Sequence, residues 1–250
     1  MKAMILAAGL GTRLRPLTAD RPKALVEVAG RTLLEITLAR LRAFGVSEVI
    51  VNTHHFAEMI QDYLNARGNF GMRVEVSREE ELLDTGGGLK KAAPFFLDGS
   101  GDLQEPFIVH NVDVLSTIDL GRMMRFHAER KALATLAVQD RETSRSLLFD
   151  EESRLCGRRS GRDGTPELVR PAEELRALAF SGIHVISPLI FSKIEEHGAF
   201  SIIAAYLHLA AAGERVAGFR ADEYEWRDLG RPESVMQAER DVRDGKFSVA

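Results

Sequence analysis

Residues Ala3–Ala8 are apolar throughout and run straight into Gly9-Leu10-Gly11-Thr12-Arg13. An unbroken apolar run of this kind fits a strand covered on both faces, which requires a sheet with helices above and below it. A secretory leader would need a longer apolar stretch than this one. The rest of the chain repeats the theme. Leu33, Leu34, Ile36, Thr37, Leu38, Leu41 and Phe44 recur at helical spacing, and Gly45 closes that helix. Glu48–Asn52 predicts a second strand and Phe56–Leu64 a second helix. Arg73–Ser77 and Phe107–His110 predict two more strands, Asp119–Glu129 a helix, and Ala132–Val138 and Ala177–Ile186 further strands. Ile202–Ala212 and Glu233–Asp244 predict the last helices. This alternation predicts an α/β fold, a Rossmann-like, mostly parallel (mixed) sheet with helices on both faces. Ligands in such sheets bind at the carboxyl ends of strands, which singles out the loops after Ala8, Asn52, Ser77 and His110.

The chain has 250 residues, 45% hydrophobic and 28% charged, enough for one domain over 1–250 with a sizeable core. The pattern weakens over about 141–176, where turn residues and arginines predict a hairpin or loop insertion. Net charge is −4, from 33 Lys+Arg against 37 Asp+Glu, which argues against a nucleic-acid partner. Cys156 stands alone, so no internal disulfide forms, in keeping with a reducing cytoplasm. No apolar run of about 18 residues predicts a membrane span.

The chemistry concentrates in a few segments. Glycines just after a buried strand let the backbone approach a ligand, and their N–H groups can cradle phosphate oxygens. Arg13 and Arg15 add charge-assisted donors. A dinucleotide fingerprint fails because position 14 is Leu, and a P-loop fails for want of its Lys. The alternative for the glycines alone is a tight turn with solvated arginines. Pro22 restricts the backbone before Lys23 and helps aim its ammonium.

Together, Leu6-Ala-Ala-Gly-Leu-Gly-Thr-Arg-Leu-Arg-Pro-Leu-Thr18, Pro22-Lys23-Ala-Leu25 and Val28-Ala-Gly30 resemble the opening of the sugar-1-phosphate nucleotidyltransferases. The resemblance covers nearly the whole chain and implies the nucleotide-diphospho-sugar transferase fold. It also implies transfer of a nucleoside monophosphate, here from UTP, onto a sugar 1-phosphate with release of pyrophosphate. By resemblance, Leu6, Ala8, Gly9, Gly11, Thr12 and Arg13 hold the nucleotide, with Arg13 on the leaving phosphates. Thr85, Gly86 and Gly87 of Asp84-Thr-Gly-Gly-Gly-Leu89 would read the base, through glycine N–H groups exposed where a helix over Leu89–Phe96 begins. Lys23 would sit by the reacting phosphates and the substrate. Asp113, ending the strand Phe107–Val114, and Asp228, in Trp226-Arg-Asp-Leu-Gly-Arg-Pro232, would hold Mg²⁺, which prefers oxygen ligands and few protein contacts. Arg13, Lys23, Asp113 and Asp228 are thus the expected catalytic set, and Ser181 and Gly182 the expected sugar contacts.

The sequence departs from the family at Val112, where Gly is commoner, and the E-K-P-like element of many members has no clear counterpart in Leu168–Glu173. Within the family, the compact length, the glycine triplet and Phe180-Ser-Gly-Ile183 look most like the N-acetylmuramate-1-phosphate uridylyltransferases, with mannose-1-phosphate guanylyltransferases close behind. Phosphocholine cytidylyltransferases share a similar opening, and Tyr224 and Trp226 keep a cationic acceptor open. A non-catalytic nucleotide-sugar-binding subunit is the reading from another class. The sequence allows a monomer or a homodimer and carries no hexapeptide repeat of a β-helix domain. His54-His55 lack zinc spacing. The Arg154–Arg162 cluster reads as a solvated loop.

Overall fold

The computed structural model describes residues 1–98, 105–161 and 164–247. β1 (Lys2–Leu6) leads through two short 3-10 turns and a ribbon, β2 (Glu27–Val28) and β3 (Arg31–Thr32), into α1 (Leu33–Ala43). Then come β4 (Glu48–Thr53), α2 (Ala57–Ala66), β5 (Arg73–Arg78), α3 (Asp84–Lys91), α4 (Ala93–Leu97), β6 (Phe107–Asn111), β7 (Val114–Ser116) and α5 (Leu120–Arg130). The second half holds β8 (Ala134–Gln139), β9 (Arg145–Phe149), β10 (Leu155–Ser160), β11 (Glu167–Leu168) and β12 (Arg176–Ile186). It closes with α6 (Ile202–Ala211), β13 (Val216–Arg220), β14 (Trp226–Asp228) and α7 (Pro232–Arg243).

The main sheet is ten-stranded and mixed. Its order is β11-β10-β9-β12-β6-β1-β4-β5, with β8 against β12 and β13 against β8. The strands β6, β1, β4 and β5 pair in parallel, as the apolar runs predict. The β9–β10–β11 meander is antiparallel and forms the hairpin expected over about 141–176. Alternate residues of each central strand feed opposite faces. Ala3 and Ile5 of β1 lie in one apolar cluster, Met4 in the other; Val49 and Val51 of β4 divide from Ile50 in the same way. That division is why these runs contain no polar alternation. Side-chain caps set the starts of α1 and α5: Thr32 accepts from the Glu35 N–H at 3.1 Å and Asp119 from the Arg122 N–H at 2.9 Å.

One expectation is corrected. Gly86, Gly87 and Gly88 lie inside α3, not ahead of it. A Cβ on Gly86 would lie 2.3 Å from the Phe200 ring, and one on Gly88 2.7 Å from both Asn52 Nδ2 and Glu79 Oε1. Close packing of α3 against the Gly198–Phe200 segment and the end of β4 therefore demands glycine here, and packing outweighs the poor helix propensity of the triplet. The strands β7, β9, β13 and β14 carry no pattern strong enough to read from the sequence.

Candidate active site

At the carboxyl ends of β1, β4 and β6 lies a chamber of about 300 Å³ lined by Leu6, Ala8, Gly9, Lys23, Asn52, Leu82, Asp84, Thr85, Asn111 and Asp113. A second chamber of about 650 Å³ opens over β12 and the β9–β10 hairpin. Its wall includes Arg13, Arg141, Arg145, Arg158 and Arg159, with Ser181, Gly182, Trp226, Asp113 and Asp228. Asn111 and Asp113 belong to both chambers, so the two meet at the end of β6.

The first chamber is built from main chain and a buried polar relay. Asn52 Oδ1 accepts from the Ala7 N–H at 2.7 Å, and its Nδ2 donates to Glu79 Oε1 at 2.8 Å. Glu79 Oε2 in turn accepts from the Leu83 N–H at 3.0 Å. Glu79 is only 2% exposed, so every hydrogen bond it makes is costly to lose. The relay ties the glycine loop after β1 to the start of α3. Thr85 Oγ1 accepts from the Ile202 N–H at 3.0 Å and so joins α3 to α6.

The carboxylates meet through a long-range ladder. Asp228 of β14 pairs antiparallel with Val114 of β7, and the Leu229 N–H donates to the Asp113 carbonyl at 2.8 Å. Arg40 of α1 holds β7 in place by donating to the carbonyls of Ser116 and Ile118. Burial of Arg40 pushes its guanidinium down to about 10, partly offset by the charge of Asp119. Asp113 forms an ion pair with Lys23 across the junction. Asp228 accepts from the Gly230 N–H at 2.8 Å, and Arg13 reaches the same spot: a Cβ on Gly230 would be 2.8 Å from Asp228 Oδ1 and 3.0 Å from an Arg13 guanidinium nitrogen.

A break in pairing on β12 between Phe180 and His184 aims Ser181 and Gly182 into the second chamber. Gly182 has φ +74, and a Cβ there would lie 2.9 Å from Asn111 Nδ2 and from Val114. The Ser181 hydroxyl faces Gln139 Oε1 at 3.3 Å, and its carbonyl accepts from Trp226 Nε1 at 2.8 Å. The Trp226 ring is covered by Arg141, whose guanidinium carbon lies 3.7 Å from the ring centroid. Arg141 also donates to the Phe180 carbonyl at 2.8 Å, and burial lowers its pKa against the pull of Asp228.

The structure thus brings together Leu6, Ala8, Gly9, Lys23, Thr85 and Asp113 in one chamber, and Arg13, Asp113, Ser181, Gly182 and Asp228 in the other. Arg13 stands on the second chamber's wall. Gly11 and Thr12 line neither chamber. The Gly86 and Gly87 N–H groups are not free for a base; both donate to the Phe200 carbonyl, at 2.9 and 3.3 Å. Val112 points into the core at 1% exposure, so its replacement of glycine leaves the Asp113 carboxylate in the cavity. His54 and His55 line a separate cavity with Phe56 and Arg78. Sequence reasoning missed Asn52, Glu79, Asn111 and Arg141, which sit in strand ends and loops with no motif around them.

Residues 2–147 match the nucleotidyl transferase family model. The chain is 36% identical over 247 residues to the N-acetylmuramate alpha-1-phosphate uridylyltransferase of Caulobacter vibrioides, covering 95% of each. It is 34% identical to mannose-1-phosphate guanylyltransferase 1 of Arabidopsis thaliana, covering 94% of this chain but 63% of that one. Among solved structures, HddC from Yersinia pseudotuberculosis complexed with GMP-PN superposes with a TM-score of 0.75 over 96% of this chain and 99% of that one, at 24% identity, a likeness of fold. A family match over most of the chain and a relative alike from end to end leave one conclusion: the chain belongs to the nucleotidyl transferase family, with sugar-1-phosphate nucleotidyltransferases as its relatives.

Proposed function

We propose that the chain transfers UMP from UTP to N-acetylmuramate 1-phosphate, releasing pyrophosphate. The observation that carries this is the meeting of two chambers at Asn111 and Asp113, one at the strand ends and one lined by cations. The donor's base and ribose occupy the first chamber, the sugar the second, and the α-phosphorus lies where they join. The end-to-end likeness to the Caulobacter uridylyltransferase supports this donor and acceptor.

The sugar phosphate is already anionic near neutral pH, so attack on the α-phosphorus needs positioning and charge neutralisation, not a strong base. Lys23, held by Asp113, neutralises phosphate oxygens at the junction. Arg13 stabilises the charge of the departing pyrophosphate from its place beside Asp228. Asp113 and Asp228 supply hard oxygen donors to one cavity, a set that fits Mg²⁺ completed by phosphate oxygens. Bound there, Mg²⁺ would neutralise charge developing on the phosphates.

The acceptor chamber disfavours a phosphocholine acceptor. Arginines line it, and Arg141 already occupies the Trp226 face. The test is pyrophosphate release with Mg²⁺ across UTP, GTP, CTP and dTTP against N-acetylmuramate, N-acetylglucosamine, glucose and mannose 1-phosphates and phosphocholine. Turnover confined to UTP with N-acetylmuramate 1-phosphate is the expected result. GTP with mannose 1-phosphate alone would replace it, and nucleotide binding with no turnover anywhere would point to the binding subunit.

A further inference from the structure

The acceptor chamber has two ends. At one, Asn111 and Asp113 open on the nucleotide chamber. At the other, Arg141, Thr143, Ser146 and Arg159 open on an adjoining cavity of about 560 Å³. The chamber's carboxylates, Asp113 and Asp228, sit on β6–β7 and β14; the far end is built on the β9–β10 hairpin, where Arg159 pairs with Ser146 and Ser160 with Arg145.

The arginines of this wall differ in what they already hold. Arg158 is paired with Glu167 at 2.6 Å. Arg141 lies on Trp226 and donates to the Phe180 carbonyl, and its Nε is likewise shut off from solvent with no acceptor. Arg13 approaches Gly230 beside Asp228, where the function proposed above gives it to the departing pyrophosphate. Among the described residues, Arg145 and Arg159 have no carboxylate partner, and Arg159 Nε is shut off from solvent with no hydrogen-bond acceptor at all. Shielding a guanidinium nitrogen without an acceptor is costly, and an anionic ligand removes that cost. A neutral sugar ring offers hydroxyls, which carboxylates and amides read equally well. A guanidinium group matches a carboxylate or phosphate in geometry and charge.

We propose that Arg159, at the far end of the acceptor chamber, with Arg145 joining the chamber wall from the opposite face of the hairpin, forms a carboxylate subsite that reads an anionic substituent on the sugar ring beyond its 1-phosphate. The proposal rests on the function proposed above, because N-acetylmuramate differs from N-acetylglucosamine by a lactyl ether that ends in a carboxylate. The subsite then accounts for choice between the two sugars, while Lys23 and Asp113 serve any sugar 1-phosphate.

The experiment compares N-acetylmuramate 1-phosphate with its neutral lactamide analogue, which keeps the bulk and loses the charge. Wild type, Arg159→Gln and Arg145→Gln are measured for turnover with UTP and for acceptor binding by calorimetry. Wild type should favour the carboxylate form about ten- to a hundredfold in kcat/KM, the span of a charged hydrogen bond. Each variant should raise KM for that form, hold kcat within about twofold, and leave the amide form unchanged, since a subsite far from the reacting phosphate acts on binding. Equal use of acid and amide by wild type, or equal loss of both forms in the variants, overturns the subsite. If N-acetylmuramate 1-phosphate is not turned over, the function proposed above fails on its own, and hexuronate 1-phosphates against the matching hexose 1-phosphates decide the subsite. A uronate preference in binding that the variants erase sustains it; no preference overturns it.

Discussion

The two chambers that meet at Asp113 are built from different materials. The nucleotide side stands on parallel strands and uses main chain, glycine and one buried polar relay from Ala7 through Asn52 and Glu79 to Leu83. The acceptor side stands on antiparallel pairs and uses long side chains, above all arginine. Main chain at a strand end changes little when side chains change, whereas a wall of side chains is rebuilt by single substitutions. The first kind of site suits the part of the reaction that relatives share, and the second the part in which they differ. The guanylyl- and uridylyltransferases similar to this chain differ by name in base as well as in sugar, and Leu82 and Asp84 are the exposed side chains of the nucleotide chamber beside the start of α3.

The comparison is broken most severely where the chambers join. Asp228→Asn and Asp113→Asn should each lower kcat about a thousandfold or more while circular dichroism stays native, because both remove negative charge from the proposed metal site without changing volume. Near-normal turnover in both would remove the carboxylates from the mechanism. Next comes Arg13→Ala, expected to lose about 2–4 kcal/mol in kcat/KM, as for other lost donors to developing charge. If KM for the acceptor rises alone, Arg13 serves the sugar side on whose wall it stands.

A smaller effect separates the chambers. Glu79→Gln puts an amide NH₂ against either the Asn52 NH₂ or the Leu83 N–H, donor to donor, in a site closed to water. The cost should be about 1–3 kcal/mol. It should be read as a higher KM for UTP with the KM for the sugar phosphate unchanged. A rise in both would mean that the relay braces the whole sheet end and not one chamber.

The same division decides what a sequence reveals. Gly9, Thr85 and Asp113 sit in short continuous segments whose glycines and strand endings carry their own signal, and all three line the nucleotide chamber. The fold was legible for a related reason. Fully apolar runs such as Met4-Ile5 and Val49–Val51 leave no alternative to a sheet covered on both faces. Arg145 and Arg159 gave no such signal. In sequence they lie in a polar, turn-rich stretch, where a solvated loop is the default reading; only the pairing of β9 with β10 brings both into the wall of one chamber. Glu79 is the mirror case, a carboxylate whose burial depends on Asn52 and Leu83 arriving from elsewhere in the fold. The glycine triplet shows the limit of motif reading on the nucleotide side as well. Gly86 and Gly87 were expected at a base and instead give their N–H groups to Phe200.

Acid should sharpen the contrast, with the smallest expected effect for each group. His110 and His184 lie on β6 and β12, neighbouring strands under the acceptor chamber. Burial, with the charge of Arg40 adding to it, pushes His110 from 6.5 down to about 4, against its hydrogen bond to the Asn111 carbonyl and the charge of Asp113. Burial, with His110 nearby, takes His184 to about 3, and its Nδ1 meets the Tyr206 hydroxyl at 2.8 Å. Burial alone takes His127, against Thr135 of β8, to about 4. In each the folded value lies below the unfolded one, so the unfolded chain binds the extra proton. Stability is complete above about pH 6.5 and falls as pH drops from there toward 4, by about 1.4 kcal/mol for each histidine per unit. Urea unfolding at pH 7.5, 6.5 and 5.5 should show midpoints falling slightly over the first step and about three times as far over the last. His184→Gln should flatten that step, since an uncharged side chain has no proton to gain. Amide exchange at pH 5.5 should rise first in β12, β8 and β13, ahead of β1, β4 and β5. Exchange rising equally in both halves would show that the sheet opens as one unit, and that the two sides differ in chemistry but not in stability.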